Sequence, residues 1–239
     1  MKRAQIAGMN QNYRQYSYEY FLESQAMAGY ESVELWLGAP HFWLDSRTRS
    51  DCKAIRQKTN AAGLNIVPVT APSGGAFQYQ YAAQEPFHRK RSVDYFVNAV
   101  RTAAELGAKI MTVNSGWGYW SDGFDDALAR SAETIAAVAK TAQSEGVMLA
   151  LESLTGDETN IGSTIGRVQT LVALVDSPAL NVMVDLAATA YSREPTQLWF
   201  DTFGEKLIHF HFQDGDFTHP SAGHYAWGDG EFRLEEELA

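Results

Sequence analysis

Hydrophobic and polar positions along the chain repeat one pattern four times. A segment whose apolar residues have helical spacing ends near a glycine, and a short apolar run follows it. Glycine is the usual residue just past a helix, because it adopts the left-handed conformation without a Cβ clash. Each repeat therefore predicts a helix followed by a β-strand. The four marker glycines are Gly29, Gly63, Gly107 and Gly146.

The longer helical segments carry apolar stripes of the expected period. Between residues 89 and 106, and again between 124 and 145, apolar residues recur at intervals of three and four. An opening strand and two later apolar runs bring the number of predicted strands to seven. They cover residues 4–9, 32–37, 64–69, 108–113, 147–152, 180–185 and 207–212. Strands that alternate with helices predict βαβ units and a parallel sheet.

The architecture that best fits this pattern is an α/β TIM (β/α)8 barrel, forming one domain over residues 1–239. The chain has no glycine-rich phosphate loop of the GxGxxG or GxxxxGK type, which disfavours a nucleotide-binding doubly wound sheet. After the seventh strand, only the loop WGDGEFR and a short helical start, LEEELA, are seen. We therefore expect the barrel to be C-terminally incomplete, with strand eight and its helix not in the chain.

Composition narrows the classes of partner. The 239 residues include 19 Lys or Arg and 29 Asp or Glu, and the formal net charge of −10 disfavours nucleic-acid binding. No apolar run approaches the ~20 residues that span a bilayer, and the N-terminal residues lack the apolar segment of a signal peptide. Cys52 is the only cysteine, which excludes an intrachain disulfide. We expect a cytoplasmic protein with no nucleic-acid or membrane partner.

Three neighbouring predicted strands end on polar residues that point into the barrel. Side chains alternate between the two faces of a strand, and the apolar face of each strand packs on the helices. His209 and His211 therefore point inward, and Glu152 and Asp185 end their strands on the inward face. Active sites of TIM barrels lie at the carboxyl ends of the strands. Two carboxylates and an imidazole that meet there suit a divalent cation.

Other polar and aromatic residues are predicted at the same end of the barrel, as candidates for substrate contact. Glu34 points inward on the second strand, either toward substrate or as a buried partner of another site residue. His41 lies in the loop after that strand, Trp117 follows the fourth strand, and His224 lies in the loop after the seventh. For each, a purely structural role is the alternative.

Several motifs resemble those of xylose isomerase-like TIM barrels. They are LESLTGDETN, MVDLAA, HFHFQDGD and HYAWGDGEF, together with YESVELWLGAPH near the start. Within that family the chain most resembles the ketose 3-epimerases, both the D-tagatose/D-psicose branch and especially the fructoselysine branch. The resemblance implies a Mn²⁺, Co²⁺ or Mg²⁺ ion bound by Glu152, Asp185 and His211. It also implies that Glu152 is a catalytic base and that Glu158 contacts the substrate.

The sequence departs from the family pattern at two places. The family's fourth metal ligand is a glutamate on strand eight, which also serves as the second acid or base, and it is not found in this chain. The tagatose-type enzymes have His and Arg where this sequence has Ala188 and Phe217. These differences favour the fructoselysine-type branch.

The resemblance implies a metal-dependent sugar isomerase or epimerase. Such an enzyme removes the proton beside a ketose carbonyl and passes through a cis-enediolate. Three other hypotheses stay open: a metal-dependent lyase similar to inosose dehydratase, a DNA-repair enzyme of the endonuclease IV type, and a truncated inactive barrel. Six histidines and a net charge of −10 disfavour the DNA enzyme. The expected partner is a small sugar or sugar derivative. A homo-oligomer is expected only by analogy with related barrels.

Overall fold

One parallel sheet organises the protein. The computed structural model describes residues 5–75, 77–216 and 224–237. Its strands are β1 (Ala7–Met9), β2 (Ser32–Trp36), β3 (Asn65–Thr70), β4 (Ile110–Asn114), β5 (Met148–Glu152), β6 (Leu180–Asp185) and β7 (Leu207–His211). They lie side by side in chain order, and each pair is parallel. A sheet in chain order, with a helical connection between most strands, is the topology of a TIM barrel.

Helices connect most of the strands. They are α1 (Tyr18–Met27), α2 (Cys52–Ala61), α3 (Pro86–Leu106), α4 (Phe124–Glu145), α5 (Ile165–Val175), α6 (Leu186–Ser192), α7 (Thr196–Phe203) and α8 (Leu234–Glu237), with 3₁₀ turns at Asn10–Tyr13 and Gly204–Lys206. Helices α3 and α4 end at Gly107 and Gly146, whose φ angles are 85° and 67°. Gly29 and Gly63 also have positive φ. The marker glycines thus have the conformation that the sequence predicts.

The alternation of side chains along the strands separates the core from the site. Val33 and Leu35 of β2, and Leu149 and Leu151 of β5, are fully buried in the main hydrophobic core. The residues between or after them on the strands point the other way, toward the barrel interior. This period of two is why Glu34, between two core residues, projects inward.

The seven predicted strands are confirmed, with shifts at their ends. The first strand ends at Met9 as predicted but begins only at Ala7 rather than at residue 4, which lies outside the described residues. Strand β3 extends one residue further than predicted and includes Thr70. Over residues 5–75, 77–216 and 224–237 the sheet has no eighth strand. Each helix in the same ranges is too short or too polar to cross a lipid bilayer.

A buried carboxylate fixes the segment that follows β7. Asp214 is 1% exposed and accepts hydrogen bonds from four backbone N–H groups. Its Oδ1 accepts from Gly215 and Phe232, and its Oδ2 accepts from Gly228 and Gly230, at 2.9–3.1 Å. A Cβ on Gly230 would overlap the Asp214 carboxylate, so only glycine allows this approach. Asp214 therefore holds residues 228–232 against the end of the seventh strand.

We expect Asp214→Asn to release this segment. Either orientation of the amide directs its NH₂ at two backbone N–H groups, so at least two hydrogen bonds to a charged acceptor are lost. Such bonds contribute about 1.5–3 kcal/mol each, so the local opening free energy should fall by at least about 3 kcal/mol. Amide hydrogen exchange at Gly228 and Gly230 should accelerate roughly 150-fold or more. The matched control is Asp229→Asn, which changes an exposed residue of the same segment, and equal protection in both variants would contradict the role of Asp214.

Candidate active site

Three adjacent strands deliver the residues of the candidate site. Glu152 ends β5, Asp185 ends β6 and His211 ends β7. The β-ladder sets Asp185 beside His211, and Glu152 beside Met183 two positions earlier on β6. The three side chains therefore meet inside the carboxyl end of the sheet. One ligand atom of each lies within 4.8 Å of the other two.

The ring of His211 is the centre of this group. Its Nδ1 atom lies 2.8 Å from Glu152 Oε1 and 3.8 Å from Asp185 Oδ2. The three side chains are largely buried, with exposed fractions of 14% for Glu152, 9% for Asp185 and 18% for His211. All three thus present a donor atom to one small, shielded space.

The second oxygen of Asp185 is held by its neighbours. Gln213 donates its side-chain amide to Asp185 Oδ1 at 2.7 Å, and the backbone N–H of Ala188 donates to the same atom at 3.1 Å. The second bond also caps the start of α6. Since Oδ1 is engaged, Oδ2 is the oxygen that faces His211.

Electrostatics at this site favour a cation. Burial, and next the negative charge of Glu152, raise the pKa of Asp185 from 3.8 to about 6. Burial by itself lowers the pKa of His211, but the carboxylates of Glu34 and Glu152 outweigh it and hold that pKa well above its usual range. Buried like charges are costly without a counter-charge, and a divalent ion supplies one. Carboxylate and imidazole donors suit Mn²⁺, Co²⁺ and Mg²⁺, so the residues fit the ion that the sequence implies.

Glu34 lies on the inner side of this centre and is 3% exposed. Its Oε2 is 3.0 Å from His209 Nε2, and its Oε1 is 3.1 Å from His211 Nε2. Thr70 Oγ1 also donates to Oε1. The carboxylate of Glu34 is thus a buried partner of the two histidines, and its contact with substrate stays a prediction.

His41 is tied into the loops after β1 and β2. Its Nε2 is 2.8 Å from the Tyr16 carbonyl and its Nδ1 is 3.1 Å from Asn10 Nδ2. Asn10 also clamps the backbone of Trp36, accepting from its N–H and donating to its carbonyl. Both ring nitrogens of His41 are therefore engaged within the protein, and its contact with substrate stays a prediction.

The remaining predicted substrate residues lie in the loops at the carboxyl ends of the strands. Trp117 is half-buried, and its ring meets Tyr119 edge-on at 5.3 Å. Glu158 is exposed and accepts hydrogen bonds from the backbone and hydroxyl of Thr155. His224 is exposed, and its electrostatic effect on Asp185 offsets a small part of the rise in the pKa of that carboxyl. Their contacts with substrate stay predictions, and Phe217 lies outside the described residues.

Sequence reasoning did not assign functions to Asn10, Gln213 or Thr70. The alternation on the seventh strand places Gln213 on the inward face, which is a usable signal for its bond to Asp185. Thr70 ends β3 opposite Trp36 of β2, and its hydroxyl reaches back to Glu34. Asn10 gives no such signal, because its role depends on the turn that follows β1.

Fold and site together define a TIM-barrel protein with a candidate divalent-cation site at the carboxyl ends of its strands. The sequence model of the xylose isomerase-like TIM barrel family matches residues 22–237. The chain belongs to that family, as the resemblance of its motifs predicts.

Several relatives of the chain are sugar epimerases, which are isomerases. Fructoselysine 3-epimerase of Shigella flexneri is 28% identical over 218 residues, which cover 91% of this chain and 78% of the relative. D-psicose 3-epimerase of Ruminiclostridium cellulolyticum is 23% identical over 216 residues, which cover 88% of this chain and 71% of the relative. The crystal structure of D-allulose 3-epimerase from Methylomonas sp. has a similar fold. Its TM-score is 0.77 at 17% identity, with 98% of this chain and 77% of that chain covered.

Proposed function

We propose that the protein is a divalent-metal-dependent sugar epimerase that acts beside the carbonyl of a ketose, most like the ketose 3-epimerases. The observation that carries the proposal is the convergence of Glu152, Asp185 and His211 within 4.8 Å at the carboxyl ends of three adjacent strands. The names of the relatives support the same reaction class. We also propose that the protein is cytoplasmic.

A divalent ion held by Glu152, Asp185 and His211 would supply Lewis-acid chemistry, which acidifies the C–H group beside a ketose carbonyl. Glu152 removes that proton with its carboxylate and is the catalytic base. Asp185 and His211 would hold the ion, and the hydrogen bonds on Asp185 Oδ1 keep its second oxygen directed at His211. Protonation of the same carbon by solvent from the opposite face, with the abstracted proton left on Glu152, gives the epimer. Return of the proton by Glu152 to the adjacent carbon gives aldose–ketose isomerisation instead.

The substrate class that we propose is a ketose carrying an amine-linked substituent, as in fructoselysine. Support comes from the higher identity with fructoselysine 3-epimerase, 28% against 23% for D-psicose 3-epimerase. Ala188 also stands where the tagatose-type enzymes have a histidine. Glu158, Trp117 and His224 are the proposed substrate contacts, since they lie in loops at the carboxyl ends of β5, β4 and β7.

The test is metal-dependent exchange of substrate hydrogen with solvent deuterium. Protein stripped with EDTA should exchange no deuterium into fructoselysine or D-psicose, and Mn²⁺ or Co²⁺ should restore exchange together with formation of the epimer. Analysis of product mass separates this reaction from that of a lyase, which loses water. Exchange that persists in EDTA would contradict metal dependence, and a dehydrated product would contradict an epimerase.

A further inference from the structure

We infer that Glu34 is the positioning residue that selects which nitrogen of His211 faces the cation. The inference rests on the proposed function, because it concerns the same site. It adds a residue from β2 to a centre whose proposed ligands all come from β5, β6 and β7.

The geometry around His211 carries this inference. The two ring nitrogens point at different carboxylates: Nδ1 faces Glu152 and Asp185, and Nε2 faces Glu34 at 3.1 Å. Glu34 is a carboxylate on the side of the ring away from the other two acids. When Glu34 accepts a hydrogen bond from a protonated Nε2, the lone pair of Nδ1 in the neutral ring faces the space between Glu152 and Asp185. A carboxylate on the outer nitrogen of a metal-bound histidine fixes the ring and raises its basicity.

Glu34 itself is rigidly placed. Its Oε1 receives the Thr70 hydroxyl as well as His211, and its Oε2 is bonded to His209 Nε2. Thr70 is in turn 2.7 Å from the hydroxyl of Thr112 on β4. Both carboxylate oxygens are therefore engaged, and the side chain is 3% exposed. A residue held at this many points can orient a neighbouring ring, which a solvated carboxylate cannot do.

Another reading of the same cluster is a second cation site formed by Glu34, His209 and His211, whose ligand atoms also lie within 4.8 Å of one another. That site would need the Nε2 lone pair of His211, while the first centre needs the lone pair of Nδ1. A neutral imidazole has only one nitrogen without a proton, so one ring cannot serve both ions. The structure therefore favours a single ion on Nδ1, with Glu34 as the hydrogen-bond acceptor.

The first experiment compares the cation affinity of variants by calorimetry with Co²⁺ and no sugar. Glu34→Gln keeps an oxygen that can accept from His211 and loses the charge, whereas Glu34→Leu loses both. Loss of such a partner weakens metal binding about 10–100-fold, so we expect roughly 10-fold for Gln and up to 100-fold for Leu. The matched control is Glu145→Gln, which makes the same change of charge at an exposed residue at the end of α4 and should bind Co²⁺ within about twofold of wild type.

The outcomes of this titration are distinct. A folded Glu34→Leu protein that binds Co²⁺ as tightly as wild type overturns the positioning role, since a merely structural carboxylate would change thermal stability alone. Two Co²⁺ ions per wild-type chain also overturn it, in favour of the second cation site. Wild-type protein that binds one Co²⁺ but epimerises no sugar contradicts the proposed function and leaves the inference on Glu34 intact.

The second experiment needs no variant, so it holds even if changes at Glu34 prevent folding. ¹⁵N-histidine NMR of the Zn²⁺-loaded wild-type protein reports the state of each ring nitrogen. We expect the His211 ring to carry its proton on Nε2 and the ion on Nδ1. A spectrum with the ion on Nε2 and the proton on Nδ1 would overturn the inference.

Discussion

Replacing Glu152 by glutamine is expected to abolish the exchange of substrate hydrogen with solvent deuterium. The amide has nearly the shape of the carboxylate, so the fold should persist. What the amide lacks is the basic oxygen that takes the C–H proton. General bases contribute about 10²–10⁴-fold to rate, and we expect a loss at or above the upper end of that range. The measurement is deuterium incorporation into the ketose by NMR.

Because Glu152 is also a proposed ligand, its two roles have to be separated. The exchange rate of Glu152→Gln should therefore be measured at Co²⁺ concentrations that calorimetry shows to be saturating. The control is Glu145→Gln, an exposed residue at the end of α4 and at the opposite end of the barrel. Cation-loaded Glu152→Gln that exchanges deuterium as fast as this control would remove Glu152 from the proposed mechanism.

The positions of the proposed ligands were predictable because they follow from local rules. A period of two along each strand fixes the inward face, and chain-order pairing of parallel strands puts their carboxyl ends together. Those rules suffice to bring Glu152, Asp185 and His211 to one place. The strand order and the glycine-terminated helices follow from equally local patterns.

The contacts across the barrel were not predictable in the same way. Glu34 and His211 are 177 residues apart in sequence, and their contact depends on how the sheet curls to bring β2 opposite β7. Alternation gives the face of a side chain but neither its depth nor its partner. The four N–H groups on Asp214 depend on the path of a glycine-rich loop, for which a sequence has no short-range signal. Polar pairs between residues far apart in sequence can therefore be identified only from the folded structure.

At Asp185 the proposed function and the stability of the fold make opposite demands on the same carboxylate. Its carboxylate is nearly buried, and burial together with the charge of Glu152 raises its pKa to about 6. A group whose pKa is higher in the folded state than in the unfolded state stabilises the fold when protonated, and this contribution is lost as the pH rises through the folded value. Ionised Asp185 thus destabilises the cation-free protein above pH 6.

Asp185→Asn should therefore make the cation-free protein more stable at pH 7 and destroy its affinity for the cation. The difference between pKa 3.8 and about 6 corresponds to at most about 3 kcal/mol, so we expect a gain of about 1–3 kcal/mol in the free energy of unfolding. The Asn oxygen can still accept from Gln213 and from the N–H of Ala188, which preserves the cap of α6. Loss of a hydrogen-bond partner to a ligand already costs about 10–100-fold in affinity, and loss of the ligand charge should cost more than about 100-fold.

Urea unfolding at two pH values, with and without Co²⁺, checks each part of this prediction. In the absence of the ion the stability gain of Asp185→Asn over wild type should be present at pH 7 and should vanish near pH 4, where Asp185 is protonated in the folded wild type. Added Co²⁺ should reverse the order at pH 7, because the ion stabilises only the protein that binds it. If Asp185→Asn unfolds at lower urea concentrations than wild type without the ion, the ionised carboxylate of Asp185 does not destabilise the cation-free protein, and the prediction is wrong. If Co²⁺ stabilises both proteins equally, Asp185 is not a ligand.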